Sequence, residues 1–334
     1  MSGARPVALL LPGQGFQHAG MAVELYTREP RFTAVADEFL TALGPEGATV
    51  RDDWLACVDG GPADRGTSAQ PLLFLIGYAI GEVLASRGIR PAVMVGHSVG
   101  ELAAATLAGV LDLPAAARIL AARCSALEEA PPGGMLAVAG APETVLDCLR
   151  ARSVGGSVVV GAHNGPQQTV LAGPEPDLSE AERAVRDGGL VARRVRALEP
   201  WHSPAMGPAA RRFGAAVAAE PLRPPTIPIV STRTGRVVTD AEAVRPGFWA
   251  EQMAAPVLFW PALDAVLGGG AYTVVDAAPA GGLATLARRH PSVRAGRSTV
   301  LPLLAPAGRD AWTVWTEGLA RLEPTASPAH AQQR

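Results

Sequence analysis

Ser98 lies in Gly96-His97-Ser98-Val99-Gly100, between the apolar run Val93-Met94-Val95 and an alanine-rich stretch that opens at Glu101. A serine in a Gly-x-Ser-x-Gly corner between a strand and a helix is held on a sharp turn with its hydroxyl exposed. The free N–H groups at the start of the helix stabilise negative charge beside it. Those two features suit acyl transfer through a serine ester. A glycine-rich turn with an incidental serine is the plainer alternative, and a base decides between them. The chain has six histidines. His97 adjoins the serine in sequence and so points elsewhere on the same corner. His18 follows the glycine-rich loop Pro12-Gly13-Gln14-Gly15, and His163 precedes the turn Asn164-Gly165-Pro166. His290 and His330 have surface-like arginine-rich or tail surroundings. His202, in Glu199-Pro200-Trp201-His202-Ser203-Pro204, falls where two parts of the chain rejoin, and ligand sites concentrate in such clefts. A packed loop histidine is the alternative there.

The elements around these residues follow from pattern. Val7-Ala8-Leu9-Leu10-Leu11 reads as a buried strand that leads into the first glycine-rich loop. Helices are expected from about 24, over 32–43, and over 72–87 after the start signal Thr67-Ser68-Ala69-Gln70-Pro71. A strand over 93–95 carries the serine corner. A helix ending near 109 and another over 114–130 follow, the latter stopped by Pro131-Pro132-Gly133-Gly134. The pattern then changes to strand 135–140, helix 142–152, strands 157–162 and 168–172, helix 178–187 and strand 192–198. That βαββαβ order is the ferredoxin-like unit. Strands at 227–231 and 273–276, with helices at 248–252 and 257–267, return the chain to mixed α/β. The expected fold class is α/β: a large α/β-hydrolase-like domain with a parallel central sheet, formed by residues 1–132 and 199–321, and an inserted small ferredoxin-like α+β subdomain at 133–198. Residues 322–334 read as a disordered tail.

Composition narrows the class of function. Apolar residues make up 48% of the 334, enough for a large core. The formal charge of −2 gives no reason to expect nucleic acid or an anionic membrane as partner. There is no lysine, so every non-histidine cation is an arginine and each anion contact can be bidentate. Cys57, Cys124 and Cys148 are odd in number and widely spaced, which suits reduced thiols and neither a disulfide framework nor a metal site. No run of about 18 uncharged apolar residues is present. A cytoplasmic monomer without bound metal is expected.

Five motifs in order resemble the malonyl-CoA:acyl-carrier-protein transacylase family, including the acyltransferase domains of polyketide synthases. They are Pro12-Gly13-Gln14-Gly15, Gly96-His97-Ser98-Val99-Gly100-Glu101, Arg123 in Ala-Ala-Arg-Cys-Ser, Asn164-Gly165-Pro166 and His202-Ser203-Pro204. Weaker matches continue from Ala255-Pro256-Val257 to Asp276-Ala277-Ala278-Pro279, so the resemblance covers about residues 6–305. It implies a dyad of Ser98 as nucleophile and His202 as base, with the backbone carbonyl of Gln252 orienting the imidazole. It implies an oxyanion hole from the N–H groups of Gln14 and Val99. Arg123 would hold the free carboxylate of a malonyl-type group; a surface helix arginine is the alternative. Gln70, Asn164 and Trp201 would join the substrate site. Arg152, Met206 and Arg297, read as exposed, would dock a carrier protein.

The substrates implied are a CoA thioester and a phosphopantetheinyl acyl carrier protein, with no bound cofactor. The implied enzyme is free-standing and acts in trans in polyketide or fatty-acid biosynthesis. Val99 fits malonyl-selecting members. Glu199-Pro200-Trp201-His202 matches neither of the usual tetrapeptides, His-Ala-Phe-His and Tyr-Ala-Ser-His. Trp201 either narrows the acyl pocket, turns outward at Pro200, or packs between domains. Transfer of an unusual aminoacyl starter between carriers, and hydrolytic editing of carriers, remain alternatives. An α/β-hydrolase esterase would place its acid between serine and a late histidine.

Overall fold

The computed structural model describes residues 5–56, 61, 66–154, 156–306 and 309–323. Cys57, His330 and nearly all of the expected tail lie outside the described residues. Two sheets form the frame. The larger is parallel, in the order β7-β2-β1-β8-β9, with β1 (Val7–Leu11), β2 (Val93–Gly96), β7 (Ile229–Ser231), β8 (Thr273–Asp276) and β9 (Thr299–Pro302). Its central strands are apolar on both faces, as burial between helix layers requires. Leu9 and Leu11 point into one core and Ala8 and Leu10 into the other. The chain runs from β1 outward to β2 and β7, then returns to the opposite side of β1 for β8 and β9. Crevices at the carboxyl ends of strands form where the order reverses in this way, and the loops after β1 and β2 meet there.

The smaller sheet is antiparallel, in the order β4-β5-β3-β6, with β3 (Gly133–Val138), β4 (Val159–Gly165), β5 (Gln168–Pro174) and β6 (Ala192–Arg194). Helices Pro142–Arg150 and Asp177–Asp187 cover one face around Leu136, Val145, Leu171 and Val185. This is the ferredoxin-like order. β6 is shorter than the expected strand over 192–198, and β4 runs through Asn164 and Gly165, which were expected in a turn. Val257 fastens the two sheets together: its N–H donates to the Gly161 carbonyl at 2.9 Å and its carbonyl accepts from His163 N–H at 2.9 Å.

The helix Gly66–Ser86 begins six residues before the expected start at 72 and contains Pro71. Proline supplies no N–H to the carbonyl one turn earlier, and the Cys124 thiol lies 3.5 Å from that free Thr67 carbonyl. Against expectation, its Thr67–Ser86 part has the length and mean hydropathy of a membrane span. It is 83% buried inside the protein, so packing accounts for its apolar character. Helices Pro45–Leu55, Gly207–Ala218 and Ala311–Leu322 and strand β9 were not anticipated. The last helix extends to the point where a tail was expected and buries Trp315, whose indole N–H meets the Glu29 carboxylate at 3.3 Å.

Candidate active site

β2 delivers the chain to His97 and Ser98, and the helix Gly100–Leu107 takes it away. Ser98 has φ +53°, a left-handed conformation that costs a non-glycine residue energy and is held only by its surroundings. The flanking glycines are obligatory for spatial reasons. A Cβ on Gly96 would lie 2.2 Å from the Gly100 carbonyl carbon, and one on Gly100 would lie 2.5 Å from the Leu11 carbonyl oxygen. The obstacles are backbone and cannot swing aside. Gly100→Ala is therefore expected to destabilise the protein by more than about 4 kcal/mol, a loss that denaturant unfolding would measure.

Ser98 Oγ stands 2.8 Å from His202 Nε2. His202 also has positive φ, +63°, and is fixed by its own N–H, which donates to the Met253 carbonyl at 2.9 Å. Its Nδ1 lies 3.0 Å from the Gln252 carbonyl and 2.9 Å from that of Ala255. Two carbonyls can only accept, so Nδ1 carries the hydrogen and Nε2 is left to accept from the serine. Burial, the positive charge of Arg123 and the nearby His97 push the His202 pKa down to about 3, so the imidazole is neutral at pH 7. Such a ring can take the serine proton, and among the described residues no carboxylate is hydrogen-bonded to it.

The loop after β1 lies beside this pair, with Gly13 so close to His97 that a Cβ would sit 2.3 Å from its carbonyl oxygen. Among the described residues, the backbone N–H groups of Gln14 and Val99 have no protein acceptor. The Gln14 side-chain oxygen accepts from Gln70 Nε2 at 3.1 Å, and Gln70 Oε1 accepts from Arg123 Nε at 2.7 Å. Arg123 is fully buried, and both its terminal nitrogens lack a partner among the described residues. Its guanidinium carbon is 5.0 Å from the centre of the Trp201 ring and 5.4 Å from that of Phe213. Burial lowers its pKa to about 10, which leaves it charged at neutral pH. An unneutralised buried cation is costly, and its free donors suit a bidentate carboxylate.

Trp201 is 2% exposed, with its indole N–H 3.2 Å from the Glu199 carboxylate, so it is not turned outward. It lines a cleft of about 500 Å³ together with Ser98, His202 and Gln14, whereas Arg123 is not among the lining residues. Asn164 reaches the cleft from β4 and its Oδ1 lies 3.0 Å from His97 Nε2. Burial lowers the His97 pKa to about 4. The expected docking residues separate. Arg152 and Arg297 are exposed but lie outside the cleft lining. Met206 is fully buried in the larger core, so it cannot meet a partner and its exposed role is withdrawn. His290, expected at the surface, is 2% exposed and caps a helix, its Nδ1 accepting from Ser292 N–H.

The profile of the acyl transferase domain family matches residues 9–323. This chain belongs to that family. It is 37% identical over 297 residues to one of the phenolphthiocerol/phthiocerol polyketide synthase subunits of Mycobacterium tuberculosis, covering 88% of this chain and 19% of that protein. It is 35% identical over 286 residues to the erythronolide synthase EryA2 of Saccharopolyspora erythraea, covering 83% of this chain and 8% of that protein. The chain thus spans a fifth or less of these curated relatives. Among solved structures, the acyltransferase domain from the second module of the salinomycin polyketide synthase aligns with TM-score 0.84 at 33% identity, covering 96% of this chain and 73% of that one. The malonyl-CoA:acyl carrier protein transacylase of Xanthomonas oryzae aligns with TM-score 0.79 at 30% identity, covering 92% and 96%. The acyl transferase assignment accords with a parallel sheet carrying a serine corner and a smaller antiparallel sheet beside it.

Some groups around the site were missed in the sequence. Glu101 is buried and its carboxylate accepts from Thr232 Oγ1 at 2.7 Å, Ser231 Oγ at 3.1 Å, Arg233 N–H at 3.2 Å and the Thr232 N–H. It fastens the helix after the nucleophile corner to the end of β7. Arg193, Arg194 and Arg196 line the cleft. The run Ala192-Arg193-Arg194-Val195-Arg196 signalled a charged strand but not which cleft it bordered.

Proposed function

We propose that this acyl transferase moves a carboxyl-bearing acyl group, malonyl or a close relative, from CoA to the phosphopantetheine thiol of an acyl carrier protein, in polyketide or fatty-acid biosynthesis. The observation that carries the reading is Arg123, a buried cation with two free donors, joined through Gln70 to the Gln14 loop beside the Ser98–His202 pair. A free carboxylate on the acyl group would satisfy both donors.

In the proposed reaction His202 Nε2 takes the Ser98 proton as Oγ attacks the thioester carbonyl. The tetrahedral oxyanion is held by the N–H groups of Gln14 and Val99. The carbon–sulfur bond breaks, the leaving thiolate takes the proton from His202, and the acyl group stays on Ser98 as an ester. The carrier thiol then gives its proton to His202 and attacks that ester. Ser98 leaves with the proton and the acyl group becomes the carrier's thioester. CoA and the carrier are substrates, and the steps use no bound cofactor.

Incubation with malonyl-CoA followed by intact-protein mass spectrometry tests this. An adduct is expected on the wild type, absent from Ser98→Ala and lost again on adding a phosphopantetheinyl carrier. One observation favours a second reading. Trp201 lines the cleft and touches Arg123, which does not line it, and the cleft extends along Met135, Ala137 and Val170 of the small sheet. An apolar wall suits a longer acyl group delivered by another carrier. An adduct from such a carrier thioester, with none from malonyl-CoA, would select that reading, and rapid loss to water would select hydrolytic editing.

A further inference from the structure

We infer that the side-chain amide of Gln252 is a positioning group that keeps Ser98 in the left-handed conformation from which its hydroxyl meets His202. The inference rests on the proposed nucleophile role of Ser98. Gln252 is 3% exposed and belongs to the short helical turn Glu251–Ala254. Its Nε2 donates to the Ser98 carbonyl at 2.6 Å. That carbonyl also accepts from Glu101 N–H at 2.9 Å, so it is pinned by the corner's own helix on one side and by Gln252 on the other.

The same residue holds the other half of the pair, since its backbone carbonyl accepts from His202 Nδ1. Its neighbours continue the grip: the Met253 carbonyl accepts from His202 N–H and the Ala255 carbonyl from Nδ1. One turn therefore fixes the peptide of the nucleophile and the ring of the base, both of them at positive φ. Val257, hydrogen-bonded to β4 of the small sheet, stiffens that turn from its far end. A left-handed serine relaxes unless its carbonyl is held. When it relaxes, Oγ swings away from Nε2.

The requirement is for a donor at this point. Methionine fills a similar volume and donates nothing, and an ionised glutamate turns an oxygen toward the Ser98 carbonyl. Neither replacement removes the backbone carbonyl that orients His202, so the two functions of Gln252 separate.

The test is the rate at which a fluorophosphonate labels Ser98, followed with the melting temperature, in the wild type, Gln252→Met and Gln252→Glu. The probe reports nucleophile alignment whatever acyl group the enzyme carries. Both variants are expected to label roughly 10- to 100-fold more slowly, through a lower maximal rate at unchanged probe affinity, with the melting temperature kept in Gln252→Met and lowered in Gln252→Glu by the buried charge. Labelling of either variant at the wild-type rate would overturn the inference. So would a melting temperature that falls in parallel with labelling in both variants, because that marks a merely structural residue. A wild type that is not labelled at Ser98 overturns the nucleophile reading itself. Labelling of Ser98 without acylation by any thioester leaves the positioning role standing and removes only the proposed reaction.

Discussion

His202→Ala is expected to slow formation of the acyl-Ser98 ester by on the order of 100- to 10,000-fold. The residue accepts the serine proton at 2.8 Å, and among the described residues no second base stands within hydrogen-bond reach of Oγ. His97, next in sequence, is turned to Asn164 instead. The backbone donors of Gln14 and Val99 survive the substitution, so residual catalysis by oxyanion stabilisation is expected and a rate of zero is not. The pH dependence has a definite sign. Burial and the Arg123 charge disfavour the imidazolium, so the base stays neutral as the pH falls through the ordinary histidine range. The acid limb of kcat/KM for Ser98 acylation is therefore expected well below pH 6.5, toward about 3. A limb at 6.5 in the free enzyme would show a solvated imidazole, contrary to the site described. The same depressed pKa bears on stability. Its contribution is complete above pH 6.5 and is lost as the pH falls toward 3, because the unfolded chain binds the proton first. His97, lowered to about 4, acts in the same direction, while Asp276, raised to about 7 by burial, acts in the opposite one.

The parts of the fold that the chain writes locally were readable from residue order alone. β8 has the bounds expected of it, 273–276, and the glycines at 96 and 100 announce a corner whose reason is steric. The ferredoxin-like unit was visible because two amphipathic helices separate its strands. Of the missed helices, Pro45–Leu55 lacks such a stripe. Pro45–Leu55 buries only Gly47, Val50 and Trp54, and Gly47 is there to touch the Leu40 carbonyl. Gly207–Ala218 opens with glycine and proline and buries Ala209, Ala210, Phe213 and Val217 on one face, of which Phe213 alone is large. At the site, motif order and the family resemblance named Ser98, His202, Arg123, Gln70 and the Gln252 carbonyl as candidates, but tertiary placement supplied their geometry. No sequence pattern says that the Gln252 amide reaches Ser98, that Phe213 faces Arg123, or that Met206 is buried while Arg193 borders the cleft. Those are meetings of segments roughly 50 to 150 residues apart, decided by how the sheets and helices pack.

Arg123→Met is expected to separate recognition from folding. With a malonyl-type donor, kcat/KM for Ser98 acylation should fall roughly 30- to 5,000-fold, the effect of removing one partner from a buried, hydrogen-bonded charge pair. With an acetyl donor it should fall far less or rise, because the neutral group no longer meets an unneutralised cation. The fold should survive, for a reason specific to this site. Breaking a buried ion pair normally leaves a charge without compensation, but here, among the described residues, both terminal nitrogens already lack a hydrogen-bond partner and no carboxylate is paired directly with the guanidinium, whose charge Glu101 favours only through space. Methionine removes that burden, retains contact with Trp201 and Phe213, and gives up one hydrogen bond to Gln70. Unfolding free energy within about 1 kcal/mol of wild type is the expected balance, since one such bond contributes a similar amount. The base should respond as well. Removing the positive neighbour makes the His202 imidazolium less unfavourable, so its pKa rises and the acid limb measured with an acetyl donor moves to higher pH than in the wild type. A carboxylate bound to Arg123 would act on His202 in the same direction, so an acyl group of the right charge would make the base that activates its own acceptor stronger. Loss of malonyl transfer with no movement of that limb would mean that Arg123 binds the acyl group without reaching the base. Equal loss for acetyl and malonyl donors would mean that it does not read the carboxylate at all.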